Sequence, residues 1–228
     1  MSVIFKTYQI ILKIFSQIGI NKSIVTKIFF FIYDNFIGKY KPIKVFGNKM
    51  YIGSLSKSII SRSLLLNRVY EGIETNLFME LVKEGMTVID IGANIGYYSL
   101  IAGKIVGKMG KVYAFEPEPN NYNLLVKNIK KNKLSNIVAL QKAVSVDSGE
   151  KTLFLSKLAH DHSFTEENVN SIRDERGSIK VETISIDEFA QQELIKKLDI
   201  VKIDVEGAIL TPIRSGHTEI VEVIILSE

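Results

Sequence analysis

The stretch TVIDIGANIGYYS, residues 87–99, decides how the rest of the chain reads. Thr87 to Ile91 has strand character and runs into a tight glycine turn, Gly92-Ala-Asn-Ile-Gly96. The turn opens a helix whose buried face is marked by Ile95, Tyr98, Ile101, Ala102, Ile105 and Val106, apolar residues at helical spacing. Downstream, Lys111–Phe115 reads as a second strand ended by Glu116-Pro-Glu-Pro119. A helix carrying Leu124, Leu125 and Ile129 then leads to a third strand, Ile137–Gln141. Strands alternating with helices over short connections build an α/β fold with a mostly parallel central sheet and right-handed crossovers.

The pattern continues to the end of the chain. Asp147-Ser-Gly149 turns into a short strand, Lys151–Leu155, followed by a polar loop over 156–178 and an alternating strand, Ile179–Ile186. Ser185-Ile-Asp-Glu188 is a capping box that opens a helix to about Lys197. Leu198–Ile203 is a fourth core strand that meets Asp204-Val-Glu-Gly207. After a brief helix containing Pro212, Ile220–Leu226 reads as a fifth strand. Upstream of the core, Leu77, Phe78, Leu81 and Val82 place a helix over Glu74–Glu84, stopped by Gly85. Ile43–Ile52 reads as a hairpin about Gly47-Asn48. Three regions follow: a basic helical leader over 1–42, a hairpin and helix over 43–84, and the core over 85–228.

Composition excludes several classes of function. Of 228 residues, 46% are hydrophobic and 24% charged, the mixture of a folded globular protein rather than a disordered or fibrous one. There is no cysteine, which removes disulfide frameworks, Cys-ligated metal sites and thiol catalysis, and fits a cytoplasmic location. The net charge of +4 conceals an asymmetry. Residues 1–62 hold nine Lys, Arg62 and one acid, Asp34, and so carry +9; the remainder is acidic. Residues 1–37 read as two amphipathic helices broken near Gly19-Ile-Asn21, with Lys6, Lys13, Lys22 and Lys27 interrupting the apolar runs. No run reaches the roughly 20 residues of a spanning helix. Two readings of the leader stay open: a helical cap on the domain or on a second subunit, and a monotopic pair lying on an anionic inner membrane face.

Open α/β sheets bind ligands at the carboxyl ends of their strands. Gly92 and Gly96 allow close approach of a ligand, and the helix they feed favours an anionic or polar group. Asp90 stands where it can meet a ligand cation or brace the loop, and Glu116 is the acid such sites direct at a ribose diol. A dinucleotide fingerprint would be G-x-G-x-x-G, but its second and third glycines are here Asn94 and Tyr97. A pyrophosphate needs the bare backbone that Asn94 denies, so a nucleoside without pyrophosphate fits better. S-adenosylmethionine is such a ligand: a free ribose for Glu116, an ammonium for Asp90, a carboxylate for amides near the turn.

Three motifs carry a family resemblance: Asp-Ile-Gly-Ala-Asn-Ile-Gly-Tyr-Tyr-Ser (90–99), Phe-Glu-Pro-Glu-Pro (115–119) and Lys-Ile-Asp-Val-Glu-Gly-Ala (202–208). With Tyr-Glu-Gly-Ile-Glu-Thr (70–75), they make residues 43–228 resemble the FkbM family of class I methyltransferases, Rossmann-like enzymes dependent on S-adenosylmethionine. The resemblance implies O-methylation of a hydroxyl on a sugar, glycan or secondary metabolite. It places Gly92, Ala93, Asn94 and Gly96 around the methionine part of the cofactor, Glu116 on the ribose, and Gln141, Lys142 and Ala143 near the adenine. Asp204 falls near the transferable methyl, and Glu74 closes the pocket from the N-terminal side.

An alcohol nucleophile must shed a proton, so a base is expected. Lys202, Asp204 and Glu206 share one side of their strand by parity. Asp204 or Glu206 is the candidate base, and a Lys202–Asp204 pair bracing the loop is the alternative. His160, Asp161 and His162 lie in the polar loop without a further ligand cluster, so no metal is expected. The absence of basic-aromatic interleaving in the body disfavours nucleic acid. Two departures from the family pattern stand out. Ile209 replaces an acid and is followed by Pro212, and the sequence stops at Glu228 where the family's sheet continues with an antiparallel strand pair. The fifth strand is then expected as a hydrophobic edge covered by the leader or another chain. Rival readings are a catalytically incomplete remnant that binds S-adenosylmethionine or a membrane, and a nicotinamide-dependent oxidoreductase.

Overall fold

A computed structural model describes residues 3–38, 40–156, 173–204 and 219–225. The chain divides into two compact units, residues 1–72 and 73–228.

The first unit contains α1 (Val3–Gln17), α2 (Lys22–Ile32), a π-helical turn (Tyr33–Ile37), a hairpin of β1 (Ile43–Val45) and β2 (Asn48–Met50), and α3 (Ile59–Asn67). Gly19, at φ +78°, breaks the first helix from the second. The Asn21 side chain then caps α2 by accepting from the Ser23 amide at 2.8 Å. The two helices pair through Tyr8, which stacks on Phe29 at 4.3 Å and shares a 2.8 Å hydrogen bond with the Thr26 hydroxyl. Asp34 organises the segment before α3: its carboxylate accepts from the Ser54 hydroxyl and Leu55 amide at 2.7 Å and from the Ser56 hydroxyl at 2.9 Å. The hairpin turn is Phe46-Gly47 rather than Gly47-Asn48, because Val45 pairs with Asn48 and buries it in the strand. Both turn residues have positive φ, +44° and +75°, as a two-residue type I′ connection requires. Among the described residues, no helix is long and apolar enough to cross a membrane.

The second unit is built on α4 (Gly72–Leu81), β3 (Thr87–Ile91), α5 (Tyr97–Ile105), β4 (Lys111–Phe115), α6 (Pro119–Asn132), β5 (Ile137–Leu140), β6 (Ala143–Val144), β7 (Gly149–Ser156), β8 (Arg173–Ile184), α7 (Ile186–Gln192), β9 (Lys197–Ile203) and β10 (Glu219–Ile225). The main sheet has the order β10-β9-β3-β4-β5, and every pair in it is parallel. One face buries Ile89, Ile91, Phe115 and Val201 against Phe189 of α7, whose ring meets Tyr113 and Phe115 edge-on at 5.0 and 4.9 Å. The fold is thus α/β, with a five-stranded parallel central sheet, as the sequence leads one to expect.

A second sheet, β6-β8-β7, joins the core between β5 and β9. Here the structure departs from sequence expectation. β8 starts at Arg173, inside the stretch read as polar loop, because β7 pairs antiparallel along it and supplies a ladder that apolar alternation does not announce. The two-residue β6 was not expected. α7 keeps the serine half of its capping box, Ser185 accepting from the Glu188 amide at 3.2 Å, while the Ser185 amide donates to the Ser148 hydroxyl instead of to Glu188; the helix stops at Gln192, and Leu194 at φ +55° turns the chain. The inward face of α4 is Thr75 and Phe78, continued by Val82, and Leu77 is exposed. His160, His162, His217, Glu206, Ile209 and the helix expected at Pro212 lie outside the described residues.

Candidate active site

The register of the main sheet is level at its carboxyl edge. Ile91 lies opposite both Phe115 and Ile203, and Phe115 lies opposite Leu140. The next residues, Gly92, Glu116, Gln141 and Asp204, therefore emerge along one rim. Backbone bonds extend the ladder into that rim. Gly92 and Ala93 amides donate to Phe115 O at 3.0 and 2.9 Å, Glu116 N to Leu140 O at 3.0 Å, and Asp204 N to Ile91 O at 3.1 Å.

The turn between β3 and α5 is held by positive φ at Gly92, Asn94 and Gly96, +73°, +49° and +91°. Asn is among the few side-chain-bearing residues that accept this region readily. At Gly96 a side chain is excluded as well, since a Cβ would lie 2.7 Å from Leu125 Cδ1 of α6. α6 also clamps the turn through Asn128, whose side-chain amide donates to Ile95 O at 2.9 Å. The Asn94 amide donates to Glu116 Oε2 at 2.8 Å, Ile95 N to Asn94 Oδ1 at 2.9 Å, and Gly96 N to Ala93 O at 2.8 Å. All five turn amides are thus engaged within the protein. Closing the turn uses them.

Glu116 is 5% exposed, and its other oxygen accepts from the Glu118 amide at 2.9 Å. Burial pushes its carboxyl up to about 7, although the amides of Glu118 and Asn94 and the Asn121 side chain pull the other way; the Glu118 carboxylate adds to the rise. No Lys or Arg pairs with it among the described residues. A carboxylate offers about four acceptor directions, so Glu116 has capacity left for a hydroxyl donor. It offers nothing to a phosphate.

Asp90 and Lys202 meet each other. The Lys202 ammonium lies 3.1 Å from Asp90, 3.2 Å from Asp204 and 3.3 Å from Gly92 O, above the Tyr98 ring at 4.9 Å. Ser99 donates to the second Asp90 oxygen at 2.5 Å. Asp90 is fully buried in these contacts and braces the rim. Asp204 is a quarter exposed, so its carboxylate is anchored by Lys202 and still reaches the edge.

An open cleft of about 440 Å³ adjoins the rim, bounded by Pro117, Pro119 and Leu140 on one side and Ile179–Glu182 of β8 on the other. Gln141 and Lys142 line it, and Lys142 pairs with Glu182 at 3.1 Å. Ala143 departs from the expected grouping: its methyl packs with Leu153, Leu155 and Val181 in the small sheet's core, because β6 pairs with β8. Glu74 stands in the first turn of α4, half-buried. Sequence reasoning missed β8 as a cleft wall, and it missed Ser99, Asn128 and the buried contact of Thr75 with the Tyr97 hydroxyl at 3.0 Å. Ser99 was findable, since the first turn of a helix that follows a strand faces back on the strand's end.

Level strand ends, a glycine turn and an acid after the second core strand define a class I methyltransferase cofactor rim. The chain belongs to the FkbM methyltransferase domain family, which it matches over residues 90–223. It is 29% identical over 133 residues to the hexuronic acid methyltransferase AglP of Haloferax volcanii, covering 58% of this chain and 50% of that protein. To methyltransferase sdnD of Sordaria araneosa it is 29% identical over 168 residues, covering 61% and 64%. The chain thus spans about half the length of the curated relatives it matches. Among solved structures, a SAM-dependent methyltransferase from Aquifex aeolicus is 34% identical over 30% of this chain and 37% of that one, with a TM-score of 0.29. The cofactor of this family's methyltransferases is S-adenosylmethionine, and the Glu116 acceptor on the rim, paired with no Lys or Arg among the described residues, fits its unphosphorylated ribose.

Proposed function

We propose that this chain transfers a methyl group from S-adenosylmethionine to a hydroxyl oxygen of a sugar, glycan or secondary metabolite. The observation that carries the proposal is Glu116, a buried acceptor with no Lys or Arg paired to it among the described residues, on the same rim as the glycine turn. Glu116 holds the ribose hydroxyls, Gly92, Ala93, Asn94 and Gly96 shape the wall for the methionine part, and Gln141 and Lys142 open onto the cleft that suits an adenine. When bound, the cofactor supplies an electrophilic methyl group. The chain's own contribution is alignment of the acceptor oxygen and removal of its proton. Asp204, anchored by Lys202 and open to the rim, receives that proton; Glu206, the other candidate base in the sequence, lies outside the described residues. The name of one relative, a hexuronic acid methyltransferase, supports a sugar acceptor.

Calorimetric titration with S-adenosylhomocysteine and with NAD tests the cofactor reading. Micromolar binding of the first alone, lost in Glu116→Ala, supports it; binding of NAD, or binding indifferent to Glu116, defeats it. Transfer of a labelled methyl group to a panel of hexoses and uronic acids tests the acceptor. An alkali-stable product is an ether on a hydroxyl. An alkali-labile product is an ester and replaces the hydroxyl with a carboxylate.

A further inference from the structure

The first unit carries a surface that the cofactor rim does not use. On α1, Ile10 and Ile14 stand four residues apart, continued by Ile18 just past the helix, and each is half to two-thirds exposed. On α2, Ile24, Ile28 and Ile32 recur every four residues with Phe31 beside them, each between about two-fifths and two-thirds exposed, continued by Phe36 at 67%. A different side of each helix is spent on their pairing, Tyr8 against Phe29. At 3.6 residues per turn, each exposed stripe lies roughly a third of a turn from that pairing side, in the same rotational sense on both helices. The helices run antiparallel, since Tyr8 reaches Phe29 and Thr26 while Gln17 and Lys22 flank the short link. Equal rotation on antiparallel helices turns both stripes to the same side, and the pair presents one continuous apolar face.

The charge around that face has one sign. Lys6, Lys13, Lys22 and Lys27 are exposed, and neither α1 nor α2 contains an acid. The nearest acid, Asp34, is engaged by Ser54, Leu55 and Ser56. Exposed Phe31 and Phe36 extend the apolar face, and exposed Tyr40 is of the type enriched where hydrocarbon meets headgroups. A second copy is a poor occupant, because a symmetric pairing of this face sets lysines against lysines. We propose that the α1–α2 face docks in the plane of an anionic lipid surface, its isoleucines and phenylalanines in the acyl boundary and its lysines at the headgroups. This inference is independent of the methyl-transfer reading.

Flotation of the full chain with vesicles of phosphatidylcholine, with and without phosphatidylglycerol, tests it. The expected result is at least about tenfold stronger binding to the anionic vesicles, since each lysine near such a surface contributes about fivefold. Binding should fall as ionic strength rises from about 0.1 M to about 1 M, because the screening length shrinks from about 10 Å to about 3 Å. Ile14→Asp with Phe31→Asp, both outward-facing, should lower partitioning by about tenfold or more with an unchanged circular dichroism spectrum. Lys13→Gln with Lys27→Gln should weaken binding to the anionic vesicles alone. A folded chain that leaves both vesicle types unbound overturns the proposal. So does a dimer, seen by light scattering, that Ile14→Asp with Phe31→Asp disperses, for then the face belongs to a second copy.

Discussion

Lys202 of β9 and Asp90 of β3 stand directly opposite each other on adjacent parallel strands, ammonium to carboxylate at 3.1 Å, with each side chain 1% exposed. Burial alone would drive the ammonium's pKa down. The attraction and hydrogen bonds of Asp90 and Asp204 outweigh that, and Lys202 is held charged, above the ordinary lysine value. The consequence is local rigidity where function needs it. One ammonium ties two strand ends, the first turn carbonyl and the rim carboxylate together.

Replacing Lys202 with Met should therefore cost about 3–5 kcal/mol, because Asp90 is left buried without its counter-charge. Adding Asp90→Asn to that variant should recover much of the loss. Urea unfolding midpoints of the two single variants and the double variant check both statements; equal midpoints for Lys202→Met and the parent chain would contradict them.

Glu116 links pH to stability with a definite sign. Its folded value, about 7, lies above the ordinary glutamate value of 4.5. Between those values the folded chain holds a proton that the unfolded chain has released. Stability from this group is complete below about pH 4.5 and is lost as pH rises through about 7, a change of about 3 kcal/mol. Glu116→Gln should flatten that slope in unfolding measured from pH 5 to pH 8 (roughly the window of the shift). If the proposed ribose contact is right, S-adenosylhomocysteine affinity runs the other way and strengthens as Glu116 ionises.

Gly96→Ala places a Cβ at φ +91° and 2.7 Å from Leu125 Cδ1. A left-handed backbone strained in this way costs about 1–3 kcal/mol. The expected outcome is a lowered melting temperature together with weaker S-adenosylhomocysteine binding, since the same turn carries Asn94 to Glu116. Differential scanning fluorimetry with and without ligand separates the two effects.

Asp34→Ala removes the acceptor shared by Ser54, Leu55 and Ser56. A loss of about 1–3 kcal/mol is expected from the unpaired donors. Proteolytic cleavage near residues 54–56 should quicken, while binding of S-adenosylhomocysteine by the second unit stays as it was.

Much of this was legible without coordinates. β3, the glycine turn, α5 and β4 announce themselves through local apolar period and punctuation, and Glu116 follows the second core strand at once. β8 did not, because residues 173–178 are strand by pairing with β7 and not by alternation. Phe46 is unexpected in a turn, and only the register shows that Asn48 belongs to the strand. Parity put Lys202 and Asp204 on one side, but a single sequence holds no information on which residue of β3 faces Lys202. That pairing spans more than a hundred residues of chain and is fixed by the sheet's assembly.

The Asp90–Lys202 juxtaposition also acts on assembly itself. Parallel strands distant in sequence can slip by two residues and still keep their apolar faces inward, so hydrophobic pattern alone is a poor guard against misalignment. Slipping β9 one way would set Asp204 opposite Asp90, acid against acid; slipping it the other way would set Ile200 opposite Asp90 and carry the ammonium past Ile91, where β3 ends. Either error leaves charges uncompensated in a dry interior. The ion pair thus serves as a proofreading mark, distinguishing the one alignment that completes the rim from neighbours that satisfy every greasy contact.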